Sequence, residues 1–406
     1  MATVDLLLVQ VAVVFGLAKG LGELFHRFRQ PRIVGEILGG VLVLNTPLWE
    51  WLQFNQNRDF VTVLAELGVV FLMFYVGLET PPRELFLVGR RATVVAVLGV
   101  MFPLAVGMAI GLGIGVPRAT AIFIGVALVA TSIGVTAALL REHKKLDTVE
   151  ARVILGAAFI DDILGLVLLS VVGGLALSGG LSLVGVSIFV VGALVFVVAA
   201  LVLLPRLVNY ILSKREEKEP PEVAEAPSSP VRNLIFLAAL LLLFGLSALA
   251  SYIGLAVILG AFLAGMAFAE IRKAYDLTRR VDIVTQLLTP FFFASIGMAL
   301  QASAVPAILP LLVLLVIAAV ATKVIGCGLG AWPLGRRSAL LIGFGMVPRG
   351  EVGIIVATIA LSAGVFDAGL YAAIVIMAVV TTLLLPPLLP RLFAGGSQAT
   401  DPATIG

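Results

Sequence analysis

Apolar residues fall in stretches of about 20, separated by short polar loops, along the whole 406-residue chain. Runs of that length suit α-helices that cross a bilayer. A membrane β-barrel would instead alternate apolar and polar positions in segments of about 10, a pattern the chain lacks. Thirteen apolar segments are expected, near 4–25, 32–48, 60–79, 90–114, 117–140, 147–177, 181–212, 231–250, 253–270, 283–301, 304–332, 337–363 and 369–394. Loops 26–32, 81–91, 141–146, 214–218, 271–280 and 335–337 are basic or charge-rich. They alternate with nearly neutral or acidic ones such as 49–59, 177–180 and 364–369. Basic loops stay in the cytoplasm, so the N-terminus is expected outside and the C-terminus inside. The first apolar run lacks a basic region before it and is expected to span rather than to be a cleaved leader.

Residues 214–230, KREEKEPPEVAEAPSSP, have no apolar face and read as a flexible linker between two halves. The tail GGSQATDPATIG is expected to be disordered. The halves look related: FYVGLE (74–79) and ASIGMAL (294–300) align at an offset of 220, with Gly77 on Gly297. Seven segments separate the two copies of each element, an odd step, so the repeats would run in opposite directions. Inverted repeats with a site at their interface are a common transporter design.

Two segments are irregular. The fifth, GVALVATSIGVTAALLRE, puts Thr131, Ser132 and Gly134 at mid-membrane. The twelfth, ALLIGFGMVPRGEVGIIVATIA, carries Pro348 and Gly350, which break a helix, flanked by Arg349 and Glu351. Unwound backbone inside a membrane is tolerated where it is buried in protein or lines a cavity, and it leaves half-helix ends able to hold ions. The bland reading of Thr131 and Ser132 is interhelical hydrogen bonding.

Composition supports the membrane assignment: 61% of residues are apolar and 13% charged, against roughly 25% charged in soluble domains. The net charge of +3 is carried by short loops and does not suggest nucleic acid. A single cysteine, Cys327, excludes an internal disulfide and a cysteine metal cluster. No phosphate-binding loop or Ser-His-Asp set is present, so neither an enzyme nor a cofactor is expected.

Against this background Asp161-Asp162, in GAAFIDDILGLVLLS, is the main chemical signal. Intramembrane carboxylates are rare and mark ion or proton routes. Neighbours on a helix point about 100° apart, so one can face a cavity while the other faces a helix. Ionising both costs more than ionising one, which suits the pair to exchanging protons. Lys323, in VIAAVATKVIGCGLG, is the natural counter-ion, with snorkelling to the interface as the plain alternative. Glu36 and Glu66 could line a cavity or pack helices; Glu79 is expected at an interface. His26 and His143 fall in loops and could sense pH. Asp59, Asp147, Asp276 and Asp282 look like solvated loop charges.

These residues resemble a family. QPRIVGEILGGVL (30–42), ELGVVFLMFYVGLE (66–79), ALVATSIGVTAALL (127–140), ILGAAFIDDILGLV (154–167), PFFFASIGM (290–298) and GFGMVPRGEVGIIVA (343–357) are similar to motifs of bacterial Na⁺/H⁺ antiporters of the monovalent cation:proton antiporter-2 group. The likeness is to the NapA type, and more distantly to Kef potassium-efflux proteins. It implies an all-α NhaA/NapA-like fold of about thirteen transmembrane helices, with two broken helices crossing and a homodimer in the inner membrane. It implies a dimerisation domain from 1–80 and 231–301, a core from 90–177 and 304–394, a linking helix at 181–212, a linker at 213–230 and a tail at 395–406. By the same resemblance Asp162 is the main ion ligand, Asp161 pairs with Lys323, Thr131 and Ser132 line the site, and Glu351 and Arg349 are supporting core charges. Adjacent aspartates follow the electrogenic members. VLVLNTPL (41–48) departs from the family, which often has Gly-Pro there.

The expectation is therefore exchange of Na⁺, with Li⁺ and K⁺ as further candidates, for H⁺ by alternating access. A Kef-like K⁺:H⁺ antiporter is the alternative. An intramembrane aspartyl protease is remote, because its aspartates face each other from different helices. A non-transporting ion or pH sensor is the last alternative.

Overall fold

The computed structural model describes residues 3–28, 30–54, 58–177, 183–216 and 230–394, and all regular structure among them is helical. Most of the expected linker (217–229) and the tail (395–406) lie outside the described residues, as does the side chain of Glu351. The helices are α1 (Thr3–Arg27), α2 (Arg32–Asn45), α3 (Leu48–Trp51), α4 (Arg58–Glu79), α5 (Pro82–Gly113), α6 (Arg118–Val129), α7 (Ile133–Glu142) and α8 (Val149–Leu177). They continue as α9 (Leu183–Glu216), α10 (Pro230–Ile253), α11 (Val257–Ala267), α12 (Leu277–Gly297), α13 (Val305–Ala331), α14 (Arg336–Gly345), α15 (Glu351–Ser362) and α16 (Ala368–Ala394). Eight helical stretches among the described residues are long and apolar enough to cross a membrane.

The 220-residue repeat extends over the fold. The offset carries α4 onto 278–299, beside α12 at 277–297, and α5 onto 302–333, beside α13 at 305–331. It carries the pair α6–α7 onto 338–362, where α14–α15 span 336–362, and α8 onto 369–397, beside α16 at 368–394. Thr278 at the start of α12 donates to Glu79 at the end of α4, so these equivalent helices run antiparallel. The repeat is inverted, and α9 to α11 stand between these copies.

The basic loops gather at one end. There the Arg32 backbone N–H donates to Glu142 (3.0 Å), Arg141 pairs with Asp282, Ser338 donates to Glu150 (2.7 Å) and Arg337 donates to the Leu392 carbonyl (2.7 Å). At the opposite end Asn45 bridges the Leu300 carbonyl (2.7 Å) and the Ala302 N–H (2.8 Å).

Two packing groups emerge. One contains α1, α2, α4, α10, α11 and α12; the other contains α5 to α8 and α13 to α16. Glycines seal each group internally. A methyl on Gly40 would strike the Ala294 carbonyl, and one on Gly77 the Phe262 carbonyl, within the first group. In the second, a methyl on Gly107 would lie 2.6 Å from the Gly125 Cα, and one on Gly326 2.7 Å from the Leu98 carbonyl. Small residues let membrane helices touch backbone to backbone, where dispersion rather than water exclusion holds them.

Several boundaries differ from the hydropathy reading. Helix α5 begins at Pro82, so the charged stretch 82–91 is helical rather than a loop, and α12 begins at Leu277 rather than 283. Charged residues at a membrane surface end the apolar run but not the helix, since water solvates their side chains while the backbone bonds continue. Helix α11, expected over 253–270, is regular only over Val257–Ala267.

Candidate functional site

The two interrupted helices meet at their breaks. Between α6 and α7 residues 130–132 are extended, and between α14 and α15 residues 346–350 are non-helical. Lipid offers no hydrogen bonds, so the freed backbone must find partners in the protein. Each break supplies them to the other. The Ser132 N–H donates to the Pro348 carbonyl at 2.8 Å. Thr131 Oγ1 donates to the Met346 carbonyl at 3.4 Å and Thr136 Oγ1 to the Gly345 carbonyl at 2.7 Å. Thr382 on α16 donates to the Arg349 carbonyl at 2.6 Å. Gly350 is needed for close approach: a Cβ there would sit 2.6 Å from Ser132 Oγ.

Arg349 is fully buried and donates to the Val129 (2.9 Å), Ala130 (2.8 Å) and Ala319 (3.1 Å) carbonyls. The first two are the exposed carbonyls at the end of α6, where a helix concentrates negative charge. Arg349 therefore neutralises a half-helix end, and its charge also acts on Asp161.

Asp161 and Asp162 lie 12 and 13 residues into the 29-residue α8, roughly 18–20 Å along it at about 1.5 Å per residue. They are 1% and 2% exposed. Lys323 on α13 donates to Asp161 Oδ1 at 2.9 Å, both side chains 0% exposed, so Lys323 does not snorkel. Among the described residues Asp161 Oδ2 and Ser132 Oγ have no hydrogen-bond partner. Gly99 on α5 makes room for this pair, because a Cβ there would lie 2.6 Å from Cys327 Sγ and 3.5 Å from Lys323 Nζ. Two acids, one lysine and one arginine, all buried, thus lie close to the two backbone breaks. A small cation entering it would find carboxylate, hydroxyl and carbonyl oxygens, the donors that hard cations prefer.

A cavity of about 500 Å³ opens at the basic end between the two packing groups. Along α7 it passes Glu142, Arg141 and Ala138; along α12 it passes Asp282, Gln286, Thr289 and Phe293. Glu36, buried on α2, faces it and pairs with Lys19 at 3.4 Å. Asp161 and Asp162 are not among its lining residues. Glu66 is exposed on α4, and Glu79 pairs with Arg272 near the basic end. Asp282 is a correction: not a solvated loop charge but a helical residue that pairs with Arg141 and accepts from Gln286 at 2.7 Å. Arg141 also stacks over the Tyr75 ring at 4.1 Å. Thr136, Thr382 and the Arg141–Asp282 pair were not singled out from the sequence.

Helix bundle, crossed breaks and buried charges can be set beside known proteins. The family model for "Sodium/hydrogen exchanger, transmembrane" matches residues 11–395. The chain is 33% identical to the high-affinity Na⁺/H⁺ antiporter NhaS3 of Synechocystis sp., over 97% of this chain and 91% of that protein. It is 32% identical to the Na⁺/H⁺-K⁺ antiporter GerN of Bacillus cereus, over 96% and 97% respectively. The solved structure of the sodium proton antiporter MjNhaP1 from Methanocaldococcus jannaschii superposes with a TM-score of 0.67 at 18% identity, covering 96% of each chain, a likeness of fold. The inverted, twice-broken bundle and a family match that runs through nearly every helix lead to one assignment: this chain belongs to the sodium/hydrogen exchanger family.

Proposed function

We propose that the protein exchanges Na⁺ for H⁺ across a bacterial inner membrane by alternating access, electrogenically and as a homodimer. The observation that carries the reading is the buried Asp161–Lys323 pair, next to Asp162 and beside the crossed breaks. Asp162 is the principal cation ligand, helped by Asp161, Thr131 and Ser132. With all four charged groups ionised, the two aspartates balance Lys323 and Arg349. Before the cation enters, a proton on Asp162 leaves the cluster at +1; one Na⁺ that displaces that proton and the Lys323 proton brings it to neutrality, so two protons move per cation and the exchange is electrogenic. Protons and Na⁺ therefore compete for one site, which couples the two fluxes without ATP. Lys323 is the proton-linked counter-ion: a cation drawing on Asp161 loosens its hold on the ammonium. Arg349, fixed on backbone carbonyls, remains a constant charge, with Glu351 a second supporting group.

The group α5–α8 with α13–α16 is the moving core, and the other group is the dimerising scaffold. Thirteen spans, with the basic end in the cytoplasm, complete the topology; the basic loops support that orientation. The cavity at the basic end reaches Ala138, about 9 Å along α7 from Ser132.

Flux in proteoliposomes under an imposed voltage tests this reading. The wild type should exchange Na⁺ for H⁺, and Asp162→Asn should fall by more than about 100-fold, the result of removing a charge from a dry cation site. Normal exchange by that variant removes Asp162 from the mechanism. A second reading, K⁺/H⁺ exchange, gains support from GerN, whose name includes K⁺. Comparing Na⁺, Li⁺ and K⁺ in the same vesicles separates the two.

A further inference from the structure

We infer that Gly134 is the clearance point at which α7 passes Phe292 of α12, and that this one contact both closes the 500 Å³ cavity and sets the rate of the conformational step. The inference rests on the alternating-access reading above.

Three observations carry it. The cavity runs inward between α7 and α12 and stops at Ala138 on one helix and Thr289 and Phe293 on the other. One turn further along α7 is Gly134, where a Cβ would lie 3.2 Å from Phe292 Cζ and 3.2 Å from Val69 Cγ2. Phe292 and Val69 are both buried, so neither has much room to give. Between the cavity floor and the Thr131–Ser132 break there is thus a glycine against a ring edge.

The second observation is the kind of atom touched. Inside the packing groups Gly99 and Gly345 face side chains, but Gly40, Gly77 and Gly326, at helix crossings, face backbone atoms of the neighbour. Such seams are locked, because backbone cannot retreat. Gly134 stands on α7 in one group and faces side chains of α4 and α12 in the other. Side-chain contacts are what a surface that slides must have.

The third observation is local. Gly134 is the second residue of α7, and its φ is not in the left-handed region. Its backbone conformation therefore does not require glycine, and alanine would favour the helix by up to about 1 kcal/mol. Clearance explains the residue, and conformation does not. Thr289 Oγ1, buried at the cavity floor and without a hydrogen-bond partner among the described residues, marks where water entering from the basic end would stop.

The test uses Gly134→Ala, Phe292→Leu and the double variant in proteoliposomes. Gly134→Ala should slow exchange about 10-fold at saturating Na⁺, equivalent to about 1.4 kcal/mol of barrier, with the apparent Km for Na⁺ changed less than about threefold. Leucine at 292 withdraws the ring edge, so the double variant should regain most of the lost rate. A wild-type rate in Gly134→Ala overturns the inference, as does a double variant no faster than Gly134→Ala. A large rise in Km at unchanged maximal rate also overturns it, placing Gly134 in ion binding instead. Should Gly134→Ala fail to fold, Phe292→Ala decides alone: it should admit a proton leak without Na⁺, and vesicles as proton-tight as wild type overturn the inference. If the wild type itself exchanges no cation for protons, the functional reading falls; if it does and the variants behave otherwise, only the clearance falls.

Discussion

Two acid–base pairs face very different surroundings in this molecule. Lys323 and Asp161 lie 2.9 Å apart with both side chains 0% exposed, at the crossing of the broken helices. Lys19 and Glu36 lie 3.4 Å apart, with the lysine 39% and the glutamate 6% exposed, on the wall of an open cavity. Water can take over from Glu36 in the second pair, because Lys19 is part-exposed. In the first it cannot, so each charge depends on the other. The contrast separates a pair that can couple charge to structure from one that tunes the local field.

The same substitution in each pair sharpens the difference. Asp161→Asn leaves a buried ammonium without its counter-charge, which should cost about 3–5 kcal/mol of stability, the range for breaking a buried pair. Asp161→Asn with Lys323→Met should recover part of that loss, since no charge is then stranded. Thermal unfolding in detergent measures both. Equal melting temperatures for wild type and the single variant would mean that the pair is hydrated, and the comparison would collapse. Glu36→Gln leaves Lys19 with access to water, so its cost should stay within about 1 kcal/mol. A larger loss would place Glu36 on the same footing as Asp161.

Much of this arrangement was legible in the chain. Pro348 and Gly350 mark a break because one removes an N–H and the other tolerates close approach, both local properties. Asp161 and Asp162 stood out because charge in an apolar run is costly wherever the fold puts it. The 220-residue offset was visible in a few residues and proved to govern most of the helices. The partners were not legible. Arg349 reads as a charge flanking the break, yet it serves three backbone carbonyls; which carbonyls lie free depends on where another helix ends. Arg141 and Asp282 read as loop charges, because 141 residues of chain separate two groups that tertiary packing brings together. Gly134 looked like an ordinary mid-membrane glycine, since nothing local points to Phe292.

The weakest expected effect lies farther out along the basic end and tests the comparison at its wet limit. The chain's two histidines, His26 and His143, line one cavity of about 440 Å³ with Glu142 and Arg391. Burial holds His143 below the ordinary imidazole range; Glu142 opposes that shift and Lys145 adds to it. A histidine lowered in this way binds fewer protons folded than unfolded once the pH drops below about 6.5. Stability should therefore be unaffected by His143 above that value and decline as the pH falls through it, levelling off below the lowered folded value. Melting temperatures of wild type and His143→Gln at pH 7.5 and 5.5 read this directly. The wild type should lose slightly more on acidification than the variant, with no difference at pH 7.5. If the variant loses as much, the imidazole is solvated, and the cavity behaves like the Lys19–Glu36 wall rather than the dry crossing.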